Sequence, residues 1–77
     1  MTSVCETPLG KRLRAKRLSL GWTLQEAAKE IGIASTSLSE YERYAMPSLR
    51  VACKIAKAYG TSIDWIATGQ SRRVHLQ

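Results

Sequence analysis

Small hydroxyl side chains, one carboxylate and one guanidinium recur between Ser35 and Arg43, in the stretch STSLSEYER. On a helix, residues three and four apart are neighbours, so Ser35, Thr36, Ser39, Glu40 and Arg43 share one face. Leu38, Tyr41, Glu42 and Ala45 fall on the other. The polar face suits the edges of base pairs: hydroxyls donate or accept, a threonine methyl packs on a thymine methyl, and a carboxylate accepts from cytosine N4. Ser35, Thr36, Ser39 and Glu40 are therefore the candidate base-reading residues. Glu40 has two plainer readings, a solvated helix charge or a partner for Arg43 three residues on. Ser37, Arg43 and the hydroxyl and amide of Thr23 are candidates for backbone phosphates, which supply affinity but no sequence information. The starts of two helices lie here, and helix N-termini present free N–H groups to anions. Simple solvation is the alternative for Arg43.

A reading face needs helices to hold it. Upstream, Leu24, Ala27, Ala28 and Ile31 recur at i, i+3, i+4 and i+7, the stripe of an amphipathic helix. Thr23 with Glu26 forms a capping box at its start, Trp22 is placed to pack over Ala27, and Gly32 stops it. The next helix runs from Ser35, left to act as its cap, to about Tyr44. Two short helices across a tight turn make a helix-turn-helix, whose second helix can enter the DNA major groove.

The remaining chain is also helical in pattern. Thr7-Pro8 opens a first helix with Leu9, Leu13 and Leu20 on its apolar face, closed by Gly21. Pro47-Ser48 opens a fourth on Leu49, Ala52, Cys53, Ala56 and Tyr59, ended by Gly60. Thr61 or Ser62 caps a fifth carrying Ile63, Trp65 and Ile66, ended near Gly69. Joints of about two to five residues imply a compact all-α domain of five helices. Residues 1–7 read as an N-terminal arm, 8–69 as the domain, and 70–77 as a polar, basic tail, disordered or associated with a dimer contact. Within that tail RRVHL could add a short strand, or Arg72 and Arg73 could reach DNA.

The chain has 77 residues and a formal net charge of +6. That length allows one domain with a small core, and that charge favours an anionic partner such as nucleic acid. No apolar run approaches the ~18 residues of a membrane span, and the N-terminus has no signal-peptide pattern, so a cytoplasmic location is expected. Cys5 and Cys53 are too few and too far apart for a metal site, and free thiols are expected, with Cys53 a small core residue. His75 is the only histidine and stands in the basic tail, where solvation is the simplest reading. No catalytic or metal-ligand constellation is present, so neither an enzyme nor a cofactor is expected.

Arg17 and Glu42 need a different explanation. Helical phase puts Arg17 about 80° from Leu9 and about 40° from Leu13, on the flank of the apolar stripe. Glu42 lies inside the stripe of the third helix. A charge facing a core must be paired, and the simplest solution is that these two meet, tying the first helix to the reading helix.

KRLSLGWT (16–23), EAAKEIGI (26–33), SLSEYER (37–43), PSL (47–49) and KIAKAYGTSIDWIATG (54–69), taken in this order and spacing, resemble the lambda repressor and Cro-type, or Xre-like, helix-turn-helix family. The resemblance covers about Leu9 to Gly69. It implies a five-helix DNA-binding domain, usually dimeric on a palindromic operator and usually regulating transcription. It also implies the Arg17–Glu42 pair, and dimerisation through the C-terminal region. Ile63, Trp65 and Ile66, core residues by pattern, are there the candidates for a dimer interface. The chain departs from the family at four points. Leu24 stands where members often carry a phosphate-binding glutamine, which makes Gln25 a substitute phosphate contact. Ala34 replaces a serine or threonine cap, Tyr44 replaces a terminating glycine, and the link to Pro47 is one residue short.

The expected function is a sequence-specific regulator of transcription, most simply a repressor, reading double-stranded DNA as a homodimer. With no second domain in view, its regulation would come from its own concentration or from a regulatory protein partner. The alternative is a protein-interaction module such as an antitoxin.

Overall fold

Five α-helices account for the secondary structure of the computed structural model, which describes residues 7–69: α1 (Pro8–Ser19), α2 (Leu24–Ile31), α3 (Ser35–Tyr41), α4 (Leu49–Tyr59) and α5 (Ile63–Thr68). Their starts follow from side chains that satisfy otherwise orphaned N–H groups. Thr7 Oγ1 accepts from Gly10 N at 2.9 Å, Ser48 Oγ from Val51 N at 3.2 Å and Ser62 Oγ from Trp65 N at 3.0 Å. Thr23 and Glu26 form the expected reciprocal box. The proposed arm 1–7 and tail 70–77, with Cys5, Arg72, Arg73 and His75, lie outside the described residues except for Thr7, which caps α1.

Each of α1, α3, α4 and α5 sends one fully buried side chain to the centre: Leu13, Leu38, Ile55 and Ile66. The α2 helix contributes Ala27 and Ala28 instead. These small residues let α2 pack closely on both α3 and α4, while α5 fills the space between α1 and α4. Trp22 joins this core with its ring tilted on Tyr59, centroids 6.0 Å apart. The turn between α2 and α3 depends on Gly32 at φ +94, where a side chain would be strained. Gly32 N and Ile33 N both donate to the Ala28 carbonyl, at 2.7 and 3.0 Å, combining the 5→1 bond of a left-handed helix end with the 6→1 bond of a Schellman closure.

Five expectations from periodicity and capping need correcting. Cys53 carries a free thiol but is exposed, because the buried stripe of α4 is Ala52, Ile55, Ala56 and Tyr59. Leu49 is 71% exposed, since it stands in the first turn of α4 beyond the reach of the core, and Leu20 is exposed past the end of α1. Ala34, not Ser35, occupies the cap position of α3, with no side-chain hydrogen bond. Finally, α3 ends at Tyr41 rather than near Tyr44, so its link to α4 runs over residues 42–48 and is longer than expected.

That early ending has a local cause and a distant one. The ladder breaks where Ala45 N passes over the Tyr41 carbonyl to that of Glu40, and Pro47, with no N–H for the Arg43 carbonyl, prevents it from resuming. The Arg43 carbonyl instead accepts from Thr7 N at 3.1 Å, across from α1. Arg43, Tyr44 and Ala45 turn their N–H groups onto the Glu40 carbonyl at 3.0, 2.8 and 2.9 Å. Among the described residues no side-chain-bearing position has positive φ, so Tyr44 leaves the helix without the left-handed step a glycine would supply.

Candidate nucleic-acid interface

The α3 helix is anchored from below. Arg17 and Glu42 are 7% and 5% exposed, and they meet: Arg17 Nε to Glu42 Oε2 is 2.7 Å and Arg17 Nη2 to Glu42 Oε1 is 3.1 Å. The remaining terminal nitrogen donates to the Trp22 carbonyl at 2.9 Å. One guanidinium therefore joins α1, the turn after α3 and the entry to α2. Its hydrogen bonds to Glu42 hold the Arg17 pKa above the usual arginine value against the opposing effect of burial. Tyr59 lies near this pair, and burial pushes its hydroxyl pKa up to about 12.

A backbone contact fixes the same junction. An added Cβ on Gly10 would stand 2.5 Å from the Glu42 carbonyl oxygen and 2.7 Å from its carbon. Only glycine lets α1 approach the end of α3 so closely. This role went unread in the sequence, where Gly10 stands next to Pro8-Leu9 without a turn signal; the only pointer was its place on the α1 face that also carries Leu13 and Arg17.

Above the anchor, α3 turns Thr36 and Glu40 to solvent, with Ser35, Ser37 and Ser39 half-buried along its flanks. Arg43 follows in the turn and is exposed. No ion pair links Glu40 to Arg43; the Arg43 guanidinium lies over the Tyr44 ring, 5.8 Å from its centroid. Ala34 supplies no side-chain acceptor, so the first N–H groups of α3 have no cap. Thr23 differs. Its amide donates to Glu26 Oε1 at 2.9 Å and its hydroxyl accepts from Glu26 N at 3.1 Å. The amide expected to reach a phosphate is thus already engaged, and only the hydroxyl proton remains for an outside acceptor. Gln25 beside it is exposed.

The basic run on α1 divides. Arg12 turns toward α5, where its Nη2 donates to the Ile66 carbonyl at 2.7 Å, so it serves the fold. Arg14 instead lines a cleft of about 210 Å³ together with Arg17, Leu24, Ser39, Glu42 and Arg43. Its spacing of three residues from Arg17 was the available signal, masked by the uniform charge of the run. At the opposite end, Ile66 is 1% exposed and cannot meet a partner as expected, because its side chain is spent in the core. Ile63 and Trp65 are half-buried against that core.

Among the described residues no helix is long and apolar enough to cross a membrane and no cluster of side chains could hold a metal ion. A helix-turn-helix family model matches residues 13–66. The transcriptional regulator ImmR of Bacillus subtilis is 39% identical over 59 residues, which are 75% of this chain and 46% of that protein, so the chain spans less than half of this relative's length. The P22 c2 repressor bound to a synthetic operator superposes with a TM-score of 0.77 at 26% identity, over 90% of this chain and 100% of that one. The biofilm regulator SinR in complex with DNA gives 0.73 at 28% identity, over 77% and 97%. With five helices in this order, an anchored α3 and a match over most of its length, the chain belongs to the Cro/C1-type, lambda repressor-like helix-turn-helix family of DNA-binding transcription regulators.

Proposed function

We propose that this chain is a sequence-specific DNA-binding unit, most simply of a repressor, that lays α3 in the major groove of double-stranded DNA. One observation carries this reading. The exposed hydroxyl and carboxylate face of α3, Thr36 and Glu40 flanked by Ser35 and Ser39, stands directly beside a cleft lined by arginines. Base edges would meet Ser35, Thr36, Ser39 and Glu40, with Glu40 accepting from a cytosine amino group. Phosphates would meet Arg43, Ser37, the Thr23 hydroxyl and Gln25. The DNA complexes of the similar SinR and P22 c2 proteins support the same partner. No step of chemistry is required, and the family is one of binding proteins rather than enzymes.

A homodimer on a palindromic site, with half-sites about 34 Å apart, follows from the small reading surface of one copy. The parts of Ile63 and Trp65 left uncovered would face the second copy, and the protein would act in the cytoplasm. Selection of bound sites from random duplex DNA tests this reading. A palindromic consensus supports it, and failure to enrich any sequence overturns it. A second reading, a module that chiefly binds a regulatory protein or toxin, draws on Met46 and Leu49, each 71% exposed, and Tyr44 at 56%. Such a module would bind duplex DNA without the steep salt dependence that phosphate contacts impose.

A further inference from the structure

Three helices build the cleft beside α3. Arg14 comes from α1, Leu24 is the first residue of α2, Ser39 belongs to α3 and Arg43 follows it, while the buried Arg17–Glu42 pair forms the floor. Both Glu42 oxygens accept from Arg17, so the floor presents a compensated pair rather than a bare carboxylate. Neither Arg14 nor Arg43 has an ion-pair partner among the described residues. The cleft is thus a cationic site with one apolar wall, Leu24, and one hydroxyl, Ser39. Its volume of about 210 Å³ is several times the ~30 Å³ of a water molecule.

These walls distinguish one kind of anion from another. A free phosphate dianion needs donors around all its oxygens, and Leu24 offers none. A phosphodiester has one negative charge shared by two free oxygens, and two esterified ones, which match two guanidinium groups on one side and an aliphatic surface on the other. We infer that the cleft seats a single DNA backbone phosphate between Arg14 and Arg43, with its deoxyribose against Leu24. This inference rests on the DNA-binding reading above and adds Arg14 as a phosphate ligand. It also gives Leu24 a positive role in place of an amide. One phosphate would then touch α1, α2 and α3 together, directly above the pair that fixes α3, and so set the register of the reading helix on the duplex.

The test measures affinity against salt on a selected duplex for the unaltered protein, Arg14→Ala, Arg43→Ala and the double variant, with methylphosphonate placed at one backbone position at a time. Arg14 is exposed, so its removal leaves the melting temperature in place; each single variant weakens binding, and because the two arginines share one phosphate, the double variant flattens the log–log slope by roughly 0.9 per half-site in total. Both arginines should map to the same phosphate: neutralising it weakens the unaltered protein but leaves the double variant unchanged. Intact binding with an unchanged slope in Arg14→Ala overturns the inference alone, as does mapping of the two arginines to different phosphates. Saturable binding of inorganic phosphate at Arg14 and Arg43 overturns the phosphodiester assignment. If the unaltered protein binds no duplex in any salt, the DNA-binding reading falls and the inference falls with it.

Discussion

Truncating Arg17 to methionine, or changing Glu42 to glutamine, should nearly unfold this domain. An exposed ion pair would contribute at most about 1 kcal/mol, but these two groups are 7% and 5% exposed and joined by two hydrogen bonds. Removing one partner strands the other charge in the interior, at a cost on the order of 3–5 kcal/mol. Arg17→Met also deprives the Trp22 carbonyl of its donor. A chain of this size has a total stability of only about 4–12 kcal/mol, at roughly 0.05–0.15 kcal/mol per residue. Each single variant should therefore lose a large share of it, seen as a fall of more than about 10 °C in melting temperature at ~4–8 °C per kcal/mol. The double variant Arg17→Met/Glu42→Gln strands no charge and closes the cycle with the two single variants. It should recover most of the loss, giving a double-mutant coupling well above the scatter of independent sites. Urea and thermal unfolding followed by circular dichroism measure all four proteins. Single variants that each lose less than about 1 kcal/mol, the range of an exposed pair, would refute the anchoring argument.

Further outcomes follow from the same junction. The Tyr59 hydroxyl is buried without a hydrogen-bond partner, so Tyr59→Phe should be neutral or stabilising by about 1 kcal/mol in urea unfolding. Because burial raises the folded Tyr59 pKa from 10.0 to about 12, its contribution is complete below pH 10 and lost as pH rises to 12. At ~1.4 kcal/mol per pH unit that is a loss of about 3 kcal/mol, and Tyr59→Phe should remove this part of the alkaline fall in stability. Gly10→Ala forces α1 away from the Glu42 carbonyl. It should lower the melting temperature and weaken DNA binding together, whereas Gly21→Ala, where an added Cβ meets nothing within 4 Å but φ is +76, should affect stability alone.

Much of this architecture can be read in the residues themselves. Thr7, Thr23, Ser48 and Ser62 sit before apolar stripes and do cap helices, because capping depends on a neighbour only three residues away. The Arg17–Glu42 pair was also legible, since two charges in two apolar stripes have few other ways to be satisfied. What escaped depends on contacts distant in sequence. The end of α3 is set partly by Thr7 donating to Arg43 from another helix. Arg12 and Arg14 are chemically alike, yet one clamps the Ile66 carbonyl and the other lines the cleft, a division that depends on where α5 and α3 pack. The α4 stripe was misjudged at Leu49 and Cys53, and Ile55 was missed, because period alone does not say which elements cover which turns.

The central claim, that the exposed face of α3 reads bases, is tested most directly by comparing sites selected from random duplex DNA by the unaltered protein and by Glu40→Gln. Glu40 is exposed and clear of the anchoring pair, so the substitution spares the fold. The account predicts a changed base preference at one position in each half-site, by about 1–3 kcal/mol per base pair, with the rest of the consensus retained. An identical consensus from both proteins would contradict it.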